Sequence, residues 1–178
     1  MIETERLILR NWRPEDAEPF FRYLNKPAVM RWLGGVKTRE FLDFIVHGRF
    51  IRWQEELGHT FWVMERKEDG AFLGFCGLKI ADDPGSPVHG EVEIGWRLRE
   101  DAWGKGYAKE AAIASLDFAF QSLKASRVIA LTVAENKGSW GLMERLGMTR
   151  RADLDHEGPD WAPGIVIVYS MEAHEWRV

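Results

Sequence analysis

The residues best suited to chemistry in this sequence lie in a short glycine-containing turn, 103–108, between a strand-like segment and a helix with a face of small residues. A helix N-terminus presents unpaired backbone N–H groups and a partial positive charge, and glycines allow an anion to approach the backbone closely. The turn therefore indicates a phosphate-binding site. A plain strand-to-helix connection would use the same glycines, so this alternative stays open.

Other phosphate and metal motifs fit the sequence less well. The dinucleotide pattern of three spaced glycines fails because Lys109 occupies the third position, and the nucleotide-binding P-loop pattern is absent. The five histidines are scattered, which predicts no metal site. Cys76 is the single cysteine and lies in an apolar run, so it is interpreted as a buried core residue and not as a nucleophile.

The net charge and the composition limit the classes of partner that the protein is expected to bind. The chain has 24 basic and 28 acidic residues and a net charge of −4, which disfavours direct nucleic-acid binding as its main role. It contains no run of about 18 apolar residues and no signal-peptide pattern at the N-terminus. We therefore expect no membrane association and a cytoplasmic location.

Strand-like and helix-like segments alternate along the chain. The hydrophobic periodicity and the positions of glycine and proline predict one mixed α/β domain over residues 1–178, of order β-α-α-α-β-β-β-α-β-α-β-β. The predicted strands are 6–10, 60–66, 71–80, 91–98, 127–133, 148–153 and 165–171, and the predicted helices are 14–24, 27–32, 38–57, 104–123 and 136–146.

The turn resembles the acetyl-CoA pyrophosphate loop of the GNAT superfamily of N-acetyltransferases. Gly106 and Ala108 match its last two fixed positions, whereas Trp103 stands where Gln or Arg is usual. Residues 103–111 are similar to the string typical of the branch resembling ribosomal-protein-alanine N-acetyltransferases (Rim type). Three more segments resemble this family in order and spacing: 4–10, 91–96, and 135–139 followed by 144–148.

The resemblance implies a fold and a cosubstrate. It implies a central, twisted, mostly antiparallel sheet of about seven strands, flanked by four to five helices. The sheet would splay between its fourth and fifth strands, 91–98 and 127–133, and acetyl-CoA would lie in this gap. The implied cofactor-binding residues are Trp96, Arg97, Leu98, Trp103, Gly104, Lys105, Gly106, Tyr107, Ala108, Asn136 and Ser139. Arg97, Arg99, Lys105 and Lys109 would surround the turn with positive charge.

Acetyl transfer to an amine requires a base, an oxyanion donor and a proton for the thiolate. We expect Glu93 to be the base, because like-facing Glu91 could raise its pKa, although both could simply lie on a solvated strand face. A backbone N–H near a bulge at Gly95 is the expected oxyanion donor. The tyrosine that many relatives use as the acid corresponds to Met143. Ser139 matches a serine of this branch, and the resemblance implies it as the acid, directly or through water; a helix residue that only bonds the backbone is the alternative.

The resemblance implies an amine acceptor that is bound in a ternary complex, either a protein N-terminus or a small molecule. Trp12, Trp32, Phe61 and Trp161 could line its site, and the acidic residues would suit a cationic acceptor. The sequence leaves open whether the protein forms a homodimer. Two other interpretations remain: a catalytically idle acyl-CoA-binding module, which Met143 would favour, and an unrelated nucleotide enzyme that uses the same turn.

Overall fold

The computed structural model describes residues 1–159 and 164–176, so Trp161 lies outside the described residues. Within these ranges nine strands form one sheet in the order β1-β2-β3-β4-β5-β6-β9-β7, with β8 paired to β9. The strands are β1 Ile2–Glu3, β2 Leu7–Arg10, β3 Phe61–Arg66, β4 Phe72–Ile80, β5 Val92–Leu98, β6 Arg127–Val133, β7 Thr149–Arg150, β8 His156–Glu157 and β9 Ile165–Glu172. The seven predicted strands are present, and the two-residue strands β1 and β8 extend the sheet.

Five helical segments flank the sheet. They are α1 (14–24), α2 (Pro27–Met30), α3 (39–57), α4 (107–122) and α5 (Lys137–Arg145), and parts of α1, α3 and α4 have π-helical hydrogen bonding. None of the helices in the described part of the chain is both long and apolar enough to cross a membrane. The mixed α/β class and the predicted element order are confirmed.

The sheet opens between β5 and β6, as the resemblance implied. These two strands form the parallel pairing of the sheet, and it covers only Val92 with Val128 and Glu93 with Ile129. Beyond Glu93 the strands continue without pairing to each other. Within the described ranges the other neighbouring strands pair antiparallel. Strand β5 pairs along its whole length with β4 on one edge and leaves its other edge largely free.

The two faces of the sheet pack against different helices. The aromatic residues of β3 and β4 pack with α1 and α3 in one cluster that includes Phe61 and Phe75. The small-residue face of α4 packs on the opposite side, where Ser115 Oγ lies 3.8 Å from Cys76 Sγ. Burial raises the pKa of the Cys76 thiol to about 12, so the interpretation of this residue as core is confirmed.

Helix α4 begins later than the sequence predicted. The periodicity suggested a start at Gly104, but the helix starts at Tyr107. Gly104 and Gly106 have φ angles of +71° and +82°, in the left-handed region that is incompatible with a continuous right-handed helix. The glycines therefore form a separate turn that precedes the helix.

Candidate active site

A cleft of about 1150 Å³ runs through the opening between β5 and β6. On one side of the sheet its walls come from the start of α4 and from α5. On the other side they come from α2, α3 and the aromatic face of β3 and β4. The cleft therefore joins two chemically different spaces through one gap in the sheet.

The backbone of β5 offers hydrogen-bonding groups to this gap. Ala81 N–H donates to Glu91 O at 2.9 Å and Arg99 N–H donates to Leu73 O at 2.9 Å. Because antiparallel pairs alternate in direction, odd-numbered residues of β5 point their backbone groups at β4. Even-numbered residues point theirs toward β6, and beyond the short β5–β6 pairing the groups of Trp96 and Leu98 face the gap.

The expected bulge at Gly95 is wrong. Pairing between β4 and β5 is continuous, with Gly77 opposite Gly95, so the Gly95 N–H points at β4. Glycine is favoured there by a close approach, because a Cβ would lie 3.0 Å from the Phe61 ring. The N–H of the next residue, Trp96, lies beyond the β5–β6 pairing and replaces it as the candidate oxyanion donor.

The turn before α4 is held open by contacts at its two ends. Trp103 Nε1 donates to Leu98 O at 2.9 Å and ties the turn to the end of β5. Arg6 Nη1 donates to Lys105 O at 2.9 Å. Gly106 is the N-cap of α4, and within the described residues no side chain caps the helix. The first N–H groups of α4 are therefore available to an anion.

Glu110 lies in the first turn of α4, where its charge would compete with a bound anion. Its carboxylate accepts hydrogen bonds from Thr4 Oγ1 at 2.6 Å, from Arg6 N–H at 2.7 Å and from Arg6 Nε at 2.7 Å. Partial burial acts to raise the pKa of Glu110, but these hydrogen bonds outweigh it and lower the pKa. The N-terminal segment thus neutralises Glu110 and fixes the turn, a role that the local sequence pattern did not reveal.

The expected ring of cations around the turn is only partly present. Lys109 lines the cleft, but the Lys105 side chain does not, and Arg99 pairs with Asp101 at 2.5 Å. Arg145, at the end of α5, also lines the cleft. Sequence reasoning missed Arg145 because its position depends on how α5 packs beside the turn.

The structure also separates Arg97 from the other expected cofactor residues. Its backbone points at β4, where it is paired with Phe75. Its guanidinium lies 5.2 Å from the centroid of the Phe75 ring and 5.9 Å from that of Phe20, on the α1 and α3 side of the sheet. The structure thus does not bring this side chain to the phosphate-binding turn.

Glu93 lines the cleft beside the gap, with its side chain 13% exposed. Burial raises the pKa of Glu93, and Asp82 acts in the same direction, whereas Lys79 at 3.1 Å acts to lower it. The expected partner is wrong, because Glu91 pairs instead with Arg127. A carboxylate with a raised pKa beside a cation suits a base that works near neutral pH.

Helix α5 brings three of the predicted residues to the cleft. Asn136 is the N-cap of α5, and its Oδ1 accepts from Ser139 N–H at 3.4 Å. Ser139 and Met143 both line the cleft, so the candidate acid and the methionine at the usual tyrosine position border the same space. Asn136 therefore caps the helix and lies in the cleft at the same time.

The aromatic residues expected around the acceptor lie in different parts of the structure. Trp32 and Phe61 line the cleft on the α2 and α3 side. Trp12 is 2% exposed and donates its Nε1 to the Phe61 carbonyl, so it is a core residue. Trp161 cannot be placed because it lies outside the described residues.

The comparison with protein families matches residues 6–149 to the model described as an acetyltransferase (GNAT) domain. The chain belongs to the GNAT acetyltransferase family. It is 30% identical over 181 residues to N-acetyltransferase p20 of Bacillus licheniformis, covering 98% of this chain and 97% of that protein. It is also 34% identical over 152 residues to YkkB of Bacillus subtilis, covering 83% and 84%.

A solved structure agrees with this assignment. An acetyltransferase of the GNAT family from Bacillus anthracis superposes with a TM-score of 0.79 at 26% identity, covering 98% of this chain and 99% of that chain. The chain is accordingly an N-acetyltransferase, and enzymes of this family take the acetyl group from acetyl-CoA. The resemblance noted in the sequence is confirmed.

Proposed function

We propose that this enzyme transfers the acetyl group of acetyl-CoA directly to a primary amine while both substrates occupy the cleft. The observation that carries the proposal is the cleft itself, which runs through the gap between β5 and β6. One side presents an uncapped helix N-terminus, and the other presents a buried carboxylate among aromatic side chains. A donor and an acceptor can therefore meet at the gap from opposite sides.

The cofactor-binding groups are assigned by their positions. The first N–H groups of α4 and the turn of Gly104 and Gly106 would bind the pyrophosphate, with Lys109 supplying charge. The backbone groups of Trp96 and Leu98 would pair with the amide-containing arm of the cofactor. Trp103, Lys105, Tyr107 and Ala108 form the rest of this turn, and Asn136 and Ser139 lie across the cleft.

The chemistry is assigned to the gap. Acetyl-CoA supplies an activated acyl carbon, and Glu93 accepts the proton that the amine must lose, directly or through water. The N–H group of Trp96 stabilises the negative charge that develops on the acyl oxygen. Ser139 is positioned to return a proton to the departing thiolate.

The test is turnover with a panel of amines, measured as release of free thiol from acetyl-CoA. The panel should include peptide N-termini, amino acids, polyamines and aminoglycosides. The proposal predicts thiol release that depends on one class of amine and decreases strongly in Glu93→Gln. Saturable acetyl-CoA binding without thiol release for any amine would instead identify the idle binding module.

A further inference from the structure

Arg97 is a partly buried cation that lines the cleft, and the described residues supply no counterion. Its Nε is shielded from solvent and makes no hydrogen bond. Burial lowers the pKa of Arg97 to about 10, and no carboxylate offsets this effect. An unpaired buried charge is costly, because the lost hydration is not replaced. A partner for this guanidinium is therefore expected from outside the protein.

Two other cations on this side of the cleft, Lys79 and Arg49, have carboxylate partners. Lys79 lies 3.1 Å from Glu93 and 2.6 Å from Asp82, and Arg49 lies 3.6 Å from Asp82. Arg31 is exposed to solvent, and Lys37 donates to a backbone carbonyl at 3.0 Å. Arg97 differs from these described cations because it has a buried nitrogen without a partner. A carboxylate would supply both the negative charge and the hydrogen-bond acceptor that this guanidinium lacks.

The position of Arg97 relative to the sheet assigns the anion to the acceptor. Its side chain packs with Phe20 and Phe75 on the α1 and α3 side, and the phosphate-binding turn leads into α4, which packs on the opposite face. The earlier idea of a cationic acceptor loses its basis, since Glu91 and Glu93 are paired with Arg127 and Lys79.

We propose that the acceptor is an amine that also carries a carboxylate, and that Arg97 binds this carboxylate. The inference rests on the proposed function and specifies its substrate class. Trp96 and Arg97 are adjacent on β5, where a strand rises about 3.3 Å per residue, and both line the cleft. A compact amino acid fits this spacing, and the aromatic walls of the cleft suit an apolar side chain.

The test compares amines that differ only in the anionic group. L-Phenylalanine and L-leucine are each measured beside their amides, which imitate a peptide N-terminus, and beside their phosphonate analogues. We expect kcat/KM to be about 10- to 100-fold higher for the carboxylate than for the amide, the range for a hydrogen bond to a charged group. Arg97→Met should remove this ratio, whereas Arg49→Met, which changes a cation that is already paired, should retain it.

Two measurements distinguish a binding role from a structural one. Without ligand, Arg97→Met should unfold at the same temperature as the wild type or higher, because an unpaired buried charge has been replaced by an apolar group. With acetyl-CoA present, L-phenylalanine should raise the midpoint of the wild type more than its amide does, and Arg97→Met should lose this difference. A lower midpoint of unliganded Arg97→Met would contradict the unpaired charge.

The outcomes separate this inference from the proposed function. Equal or better binding and turnover of the amides, or no carboxylate preference in either assay, would overturn the inference and leave the acetyltransferase assignment intact. A preference for the phosphonates would also overturn it, in favour of a doubly charged acceptor group. Failure of acetyl-CoA to bind would contradict the proposed function itself.

Discussion

Gly106 gives the sharpest test of the phosphate-binding turn, because the chain contains a matched control. Gly106 has φ +82° and lines the cleft, whereas Gly58 has φ +73°, ends α3 and lies outside the cleft. A side chain in this left-handed region costs about 1–2 kcal/mol. At this chain length each kcal/mol lowers the midpoint by about 2–4 °C. Alanine at either position should therefore lower it by roughly 2–8 °C.

The two variants should differ in affinity for acetyl-CoA. A Cβ at Gly106 would lie 3.3 Å from Arg6 Nη2 and press on the guanidinium that holds the Lys105 carbonyl, whereas a Cβ at Gly58 meets no atom within 4 Å. Displacing the turn removes one or more charge-assisted hydrogen bonds, each worth about 1.5–3 kcal/mol, which corresponds to roughly 10- to 100-fold weaker binding.

The assay is calorimetric titration of acetyl-CoA into the wild type and both variants. We expect Gly58→Ala to bind like the wild type and Gly106→Ala to bind at least about 10-fold more weakly. Wild-type affinity in a folded Gly106→Ala would refute the placement of the pyrophosphate at this turn. Equal weakening in both variants would show that affinity follows stability and not the local geometry.

Three further predictions concern the base, the support of the turn and the close approach in β5. Glu93→Gln should lower kcat about 100-fold or more without weakening acetyl-CoA binding. Because the base must be ionised, wild-type kcat should decrease as pH falls through the raised pKa of Glu93, and an identical pH profile in the variant would exclude this role. Glu110→Gln should lower the thermal midpoint at neutral pH. Its lowered pKa means that the stabilisation is present above the unfolded value of 4.5 and is lost as pH falls through the folded value, so a midpoint difference that persists in acid would contradict the argument. Gly95→Ala should destabilise the fold by about 1–3 kcal/mol in denaturant unfolding, because its Cβ meets the Phe61 ring, and Phe61→Leu should restore most of the loss. An unchanged free energy of unfolding in Gly95→Ala would show that the contact between this Cβ and the Phe61 ring does not reduce stability.

The order of elements and the turn could be predicted because they depend on local patterns. Strict alternation in residues 91–98 fixed β5 and its two faces, and the small residues of α4 indicated close packing on the sheet. The start of α4 was predicted too early because periodicity does not register the backbone conformation of Gly104 and Gly106. The positive φ angles at both positions prevent the helix from beginning before Tyr107.

The charged residues were harder to assign because their partners are distant in sequence. Glu91 lies two residues from Glu93, but it pairs with Arg127, and Glu93 pairs with Lys79 from the neighbouring strand. Arg97 is close to the turn in sequence, which suggested that its side chain would lie beside the turn. Strand alternation instead directs this side chain to the face of the sheet that packs on α1 and α3, opposite α4. Only the register of the sheet reveals these relationships.

The most direct test of the central claim is a thermal-shift comparison of acetyl-CoA, ATP and NAD at saturating concentration. A ligand at a hundred times its dissociation constant adds about 2.7 kcal/mol to stability. For a chain of this length this predicts a rise of roughly 5–10 °C with acetyl-CoA and none with ATP or NAD. No rise with acetyl-CoA together with a clear rise for ATP or NAD would contradict the acetyl-CoA site proposed at the turn and the gap.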